Sequence, residues 1–176
     1  MRAAVLREVG KPLDITEVPT PEPGPGQVLV RVLACGICRT DLHVIYGELP
    51  APRIPLVPGH QVVGIVERAG AGIDRGTPSG AGGSTPTLGN RVGIPWLGAT
   101  CGACPYCREH HENLCDAPQF TGYTRDGGYA DHVVARADYC FRLPDAFDAL
   151  HAAPLLCAGL IGYRALAMAG DAPRLA

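Results

Sequence analysis

Four cysteines stand within fifteen residues, in C-G-A-C-P-Y-C-R-E-H-H-E-N-L-C from Cys101 to Cys115, and no other feature restricts the fold of this chain so tightly. The spacing C-x2-C-x2-C-x7-C lets a short loop wrap one ion with Cys101, Cys104, Cys107 and Cys115. Four thiolates occupy every position of a tetrahedral Zn²⁺ and leave none for a substrate, so the set predicts a structural site. Gly102 frees the backbone to turn beside the first ligand. An iron–sulfur cluster fits less well. The ferredoxin run has a different last spacing and a proline after its fourth cysteine, whereas Asp116 follows Cys115.

A second set is scattered. Cys38, His60 and Cys157 can meet only through the fold, and two sulfurs with one imidazole leave a fourth position open for water or substrate. One closed and one open site in a chain point to a zinc-dependent oxidoreductase. Cys35 and Cys140 read as small buried apolar residues without a metal role. His110, His111, His132 and His151 are expected to face solvent.

Composition narrows the setting. The chain has 176 residues, enough for one domain with a real core. Its net charge is −2 and its basic residues are dispersed, with Lys11 the only lysine, which argues against a nucleic-acid partner. No signal-peptide core follows Arg2, and no apolar stretch reaches the length of a membrane span, so a cytoplasmic, non-membrane protein is expected. Thiols stay reduced there, and dense cysteine spacing then reads as metal binding rather than disulfides. With 23 Gly and 17 Pro, a turn-rich, mainly β architecture with short helices is favoured. Strands are predicted at 1–9, 13–18, 27–34, 61–68 and 129–136, with a short helix from about Thr40 or Asp41. The segment 74–90 lacks periodicity and large apolar residues, as a flexible surface loop would. Residues 158–169 are apolar on most sides and predict a helix built to be buried.

Three segments then carry a resemblance. C-G-I-C-R-T-D-L-H (Cys35–His43), Pro58-Gly59-His60 and the cysteine loop resemble the zinc-dependent alcohol dehydrogenases of the medium-chain dehydrogenase/reductase superfamily. V-G-I-P-W-L, D-G-G-Y-A and P-L-L-C-A-G extend it over nearly the whole chain in order, apart from the Gly-rich loop. The resemblance implies a GroES-like β-barrel catalytic domain over 1–155, with 98–116 as its structural-zinc loop. It makes 156–176 the start of a connection to an absent Rossmann nucleotide-binding domain, so the apolar surface of 158–169 that this domain would cover is expected to be exposed.

The resemblance also implies roles. Cys38, His60 and Cys157 match catalytic zinc ligands, giving two Zn²⁺ per chain with the closed site. Thr40 matches the hydroxyl that bonds the substrate alcohol and opens a proton relay, and His43 matches the histidine at its solvent end. Asp41 matches a carboxylate that orients the ligand histidine. Arg39 matches a contact to the pyrophosphate of NAD or NADP, and Leu49 and Trp96 match residues lining a pocket for a small alcohol or aldehyde. A homo-oligomer is implied for the full-length form.

Two departures stand out. Gln61 follows His60 where most members have Glu, so the neighbourhood of the open site is one charge less negative. Asn90 replaces the usual Asp in a turn. No G-x-G-x-x-G fingerprint follows a strand, so the dinucleotide-binding half is expected to be missing from these residues. Two alternatives to an enzyme are a truncated, non-enzymatic zinc-binding domain and a thiol–zinc redox sensor.

Overall fold

The computed structural model describes residues 1–50, 52–73 and 85–170. Among these residues, nine strands form three antiparallel sheets. β1 (Arg2–Val5) pairs with β2 (Asp14–Glu17), from Arg2 opposite Glu17 to Val5 opposite Asp14. The main sheet takes β3 (Gln27–Gly36), β4 (Gln61–Ala69), β5 (Arg91–Ile94), β8 (His132–Arg136) and β9 (Phe141–Arg142) in the order β8-β3-β4-β5-β9. β6 (Leu97–Ala99) and β7 (Gln119–Phe120) make a small third sheet.

The core of the main sheet is valine-rich. Val28, Val30, Val62, Val66, Val92, Ile94 and Val133 are all buried, together with Ala135, Ala137 and Cys140. These β-branched side chains suit a pleated surface and stand at alternate positions of their strands, which is how Q-V-L-V-R-V and Q-V-V-G-I-V encode one face. Burial pushes the Cys140 thiol up, as for an inert core sulfur. Cys35 is half-buried, and desolvation pushes its thiol up to about 12. Neither cysteine joins a metal-ligand cluster among the described residues.

The expected closed β-barrel is not formed. Among the described residues the five-stranded sheet is open, and its edge strands β8 and β9 do not pair with each other. Closure requires an unbroken, staggered ladder around the whole ring. Here Pro95 separates β5 from β6, and β9 is two residues long and followed closely by Pro144. No ladder joins the β1–β2 pair to the main sheet among the described residues; it meets the residues ahead of β8 at the isolated bridge between Ala3 and Ala130.

Helices are short: α1 (Arg39–Ile45), α2 (Pro105–Arg108), α3 (Ala149–Ala152) and α4 (Ala158–Ala169). α4 is not covered in this chain and shows the exposed apolar surface expected of it. None of its residues is buried, and Leu160, Ile161, Tyr163, Leu166 and Met168 are all exposed. Its apolar composition therefore lies on a helix whose main contact is the preceding 3₁₀ turn Ala153–Leu156. No single described helix is long and apolar enough to cross a membrane, although Ala149–Leu156 and α4 pass that test together across a 54° bend.

The 74–90 loop falls mostly outside the described residues. At its end Asn90 acts as a turn residue: its N–H donates to the Thr87 carbonyl at 3.0 Å and its Oδ1 accepts the Thr87 N–H at 3.1 Å. Three of the four solvent-facing histidines are exposed as expected. His132 is not, because its Nε2 pairs with Glu67 at 3.0 Å and its Nδ1 is buried.

Candidate metal centres

The open set converges through three different parts of the fold. Cys38 follows β3 and caps α1, His60 immediately precedes β4, and Cys157 lies between the 3₁₀ turn Ala153–Leu156 and α4. Their ligand atoms all lie within 4.8 Å of one another. Cys38 Sγ and Cys157 Sγ are 3.7 Å apart. That is far beyond a disulfide, and it matches the roughly 3.8 Å that two sulfurs keep in a tetrahedron with Zn–S of about 2.3 Å.

Local sequence explains each placement. The D-G-G-Y-A turn clamps the segment before β4. Val57 N–H donates to Asp126 Oδ1 at 3.0 Å, Gly127 N–H to the Val57 carbonyl at 2.6 Å, Gly128 N–H to Gly59 at 2.9 Å and Tyr129 N–H to Pro58 at 3.0 Å. The two glycines are steric requirements. A Cβ on Gly127 would stand 2.0 Å from the Gly59 oxygen, and one on Gly128 would stand 2.3 Å from Val62. Gly59 itself has φ +99°, and a Cβ there would meet the Tyr129 ring at 2.5 Å. Gly59→Ala is therefore expected to cost about 2–4 kcal/mol, from a left-handed backbone plus overpacking. A shift in denaturant midpoint measures it, and an unchanged midpoint would refute the close packing beside His60.

His60 is fully buried, and its two ring nitrogens differ sharply. Nδ1 meets Asp41 Oδ1 at 2.9 Å, whereas Nε2 has no hydrogen-bond partner among the described residues. An orphaned imidazole nitrogen in a dry site costs about 1–3 kcal/mol unless a ligand takes it. It lies with the two sulfurs in one cluster, so the residues present fit a tetrahedral metal with one position to spare. Burial works to lower the His60 pKa, but the bond and charge of Asp41 outweigh it and raise it. Desolvation similarly opposes ionisation of Cys38, yet the Thr40 N–H and hydroxyl and Cys157 together lower its pKa. Desolvation and the adjacent Cys38 raise Cys157.

The other predicted residues group around this centre. Asp41, 2% exposed, bridges two of its members, because Oδ2 also accepts the Cys38 N–H at 2.8 Å. That second bond is half of a capping box at the start of α1. Thr40 Oγ1 is 3.8 Å from Cys38 Sγ. Gln61 is buried and its amide oxygen packs over Gly36, its register partner in β3. Trp96 meets His60 edge-on with ring centroids 5.1 Å apart, and Leu49 and Trp96 pack on the cluster of Leu6, Val44 and Leu56. Arg39 is exposed at the first position of α1. His43, in the last turn of α1, pairs through Nδ1 with Glu48.

Sequence reading missed several neighbours. Phe120 and Tyr123 stack on Trp96 at 4.9 and 5.8 Å and lie 6.3 Å from each other, so the three rings form one aromatic cluster. The Tyr129 hydroxyl is buried without a hydrogen-bond partner among the described residues; burial, then the Asp41 charge, raise its pKa. The G-Y-T and G-G-Y strings carried these rings in plain view, but no spacing rule marks an aromatic as lining a site rather than filling a core.

The closed set is local, as its spacing requires. The sulfurs of Cys101, Cys104, Cys107 and Cys115 lie within 4.8 Å of one another, and Cys101 Sγ is 3.9 Å from Cys107 Sγ and 3.6 Å from Cys115 Sγ. Gly102, with φ +68°, makes the turn. Backbone N–H groups of Ala103 and Cys104 point at Cys101 Sγ, at 3.5 and 3.3 Å, and with Cys115 lower that thiol to about 6. Desolvation pushes Cys107 the other way, up to about 11. The backbone N–H groups thus favour charge on Cys101 in particular.

Comparison with known proteins places the chain in a family. The sequence profile of the alcohol dehydrogenase GroES-like domain matches residues 24–145. The chain is 44% identical over 174 residues to an alcohol dehydrogenase of Geobacillus stearothermophilus, covering 98% of this chain and 49% of that protein. A cobalt- and zinc-bound thermostable alcohol dehydrogenase from Pyrobaculum aerophilum superposes with a TM-score of 0.84 at 30% identity, over 98% of this chain and 50% of that one. An acetophenone reductase from Geotrichum candidum in complex with NAD gives 0.80 at 32% identity, over 96% and 47%. The chain spans about half the length of the relatives it matches. With the profile match extending over most of its length and both ligand clusters in place, this chain belongs to the alcohol dehydrogenase GroES-like domain family, within the zinc-binding medium-chain dehydrogenases/reductases.

Proposed function

We propose that this chain is the catalytic portion of a zinc-dependent alcohol dehydrogenase that interconverts small primary or secondary alcohols with aldehydes or ketones, using NAD or NADP. The observation that carries the reading is the meeting of Cys38, Cys157 and an unpartnered His60 Nε2 at one point, with a closed four-sulfur loop elsewhere. When bound, Zn²⁺ supplies Lewis-acid polarisation of an oxygen, and a nicotinamide supplies the hydride acceptor.

The chain's own residues supply the rest. Cys38, His60 and Cys157 hold the open-site metal, and Cys101, Cys104, Cys107 and Cys115 hold the structural one. Asp41 fixes the His60 ring. Thr40, beside Cys38, takes a hydrogen bond from the alcohol and passes the proton on. His43 receives it, three residues along α1 on the same helix face as Thr40. Trp96 and Leu49 give the alcohol an apolar wall and exclude water. Gln61 leaves the site less negative than a carboxylate would, and Arg39, exposed at the start of α1, is free to meet the cofactor pyrophosphate. We read 1–155 as the catalytic domain and 156–176 as the start of the connection to a nucleotide-binding domain. The NAD held by the Geotrichum reductase supports that cofactor class. Homo-oligomers and a reducing cytoplasm belong to the same reading, the latter because eight thiols must stay available.

Thr40→Val tests the reading in a polypeptide that joins this chain to its nicotinamide-binding domain. Loss of the hydroxyl at nearly constant volume is expected to cut alcohol-dependent NAD(P) reduction by about 10²–10⁴, the usual worth of positioned proton transfer. Zinc content should not change. A rate within threefold of the parent would sink the assignment.

A further inference from the structure

We propose that Glu48 is the positioning residue of the relay: it takes the Nδ1 hydrogen of His43 and so leaves Nε2 bare as the proton acceptor. This inference rests on the reading of His43 as the solvent end of the relay.

The pairing is built by the backbone. His43 stands in the last turn of α1, the chain reverses through Tyr46 and Gly47, and the Glu48 N–H returns to donate to the His43 carbonyl at 2.9 Å. This bond brings the Glu48 carboxylate back to His43 Nδ1. The next residues hold the turn from the other side. Leu49 packs against Leu6, Val44 and Leu56, and the Pro50 carbonyl accepts the Tyr123 hydroxyl. The carboxylate is thus held by a defined turn, with the side chains of His43 and Glu48 still 35% and 47% exposed. Ion pairs that exposed contribute little to folding, so stability does not explain the arrangement.

Chemistry gives it a purpose. A neutral imidazole has one N–H and one bare nitrogen, and a carboxylate can only accept. With Glu48 on Nδ1, the hydrogen sits on Nδ1, and Nε2 is the basic atom. Without that partner the hydrogen could occupy Nε2, and the ring would offer no acceptor there. A proton arriving from the substrate alcohol binds Nε2 and makes the imidazolium. The extra proton then leaves to water and the ring returns to its starting tautomer, with nothing oxidised at this site. Asp41 does the same for His60 at the other end of α1, again through Nδ1. One short helix is therefore flanked by two carboxylate–imidazole pairs, one turned toward the metal centre and one toward solvent. The other charged residues on α1 are Arg39, one turn before His43, and Asp41, whose carboxylate is engaged by His60 Nδ1 and the Cys38 N–H.

The ring tautomer is directly measurable. ¹⁵N NMR on the zinc-loaded chain, taken at the high-pH limit of a titration, should show His43 with its hydrogen on Nδ1; His43→Gln identifies the signal. Glu48→Ala should redistribute that hydrogen toward Nε2. Glu48→Gln should largely preserve Nδ1–H, since the amide oxygen still accepts. In the longer polypeptide carrying the nicotinamide-binding domain, Glu48→Ala should lower kcat about tenfold with little change in KM, and imidazole buffer should restore most of it. The proposal is overturned if the parent carries its hydrogen on Nε2, if Glu48→Ala leaves the tautomer unchanged, or if kcat does not respond. An Nδ1–H tautomer that depends on Glu48 in a parent protein with no alcohol oxidation would instead overturn the dehydrogenase reading.

Discussion

Cys107→Ser is expected to release one of two bound zinc ions and to unfold the 98–116 loop, taking much of the domain's stability with it. The loop has little else to order it. Cys107 and Cys115 are buried, but Tyr106 and Leu114 are exposed, and its helical pieces are α2, four residues long, and a 3₁₀ turn at Glu112–Leu114. Past the end of β6, the Thr100 and Tyr139 hydroxyls, 2.6 Å apart, give it a polar tie to the 3₁₀ turn Ala137–Tyr139. Structural Zn²⁺ contributes about 10–16 kcal/mol of apparent folding free energy in isolated zinc-finger peptides, against a typical domain stability of about 5–15 kcal/mol. Losing one of four sulfurs therefore competes with the whole margin. Elemental analysis should fall from two zinc ions per chain to one, with a large drop in thermal midpoint. Parent protein that holds iron, or a variant with undiminished zinc and midpoint, would overturn the closed-site assignment.

How much was legible in the sequence depends on the range of the interaction. The closed site is local, and its spacing alone dictates it. The open site is long-range, and only ligand type and resemblance could join Cys38, His60 and Cys157 before the fold did. Strands β1 to β4 and β8 were visible through β-branched alternation. R-V-G-I and L-G-A, in contrast, are too short and glycine-rich to announce β5 and β6. Sheet closure was misjudged because it is a property of edges: no pattern inside β8 or β9 says whether they pair with each other. The exposed apolar face of α4 was foreseeable from composition alone. Apolar composition shows that a surface wants covering, and Leu160, Ile161 and Tyr163 stand exposed on it. Glu48 escaped notice because a carboxylate five residues after a histidine is ordinary. Only the turn at Gly47 makes it a partner.

The second large effect should come from a residue that touches no metal. Asp41→Ala removes the acceptor of two hydrogen bonds at once, from His60 Nδ1 at 2.9 Å and from the Cys38 N–H at 2.8 Å. Each donor left unpaired in so dry a site costs about 1–3 kcal/mol, so a loss of roughly 2–5 kcal/mol in folding free energy is expected. The open site should suffer separately. His60 loses the partner that fixes its ring and tautomer, and Cys38 loses the cap that aims its sulfur, which together should weaken metal binding there by about 10–100-fold. Competition with a chelator should then strip one metal early while the four-cysteine loop keeps its own. Asp41→Asn separates charge from geometry. Its amide oxygen can still accept from His60, but its NH₂ would face the Cys38 N–H, donor against donor. Asn should therefore fall between Asp and Ala in metal affinity. Equal affinity for all three would mean that the ring of His60 is held by packing against Trp96, and that the carboxylate orients nothing.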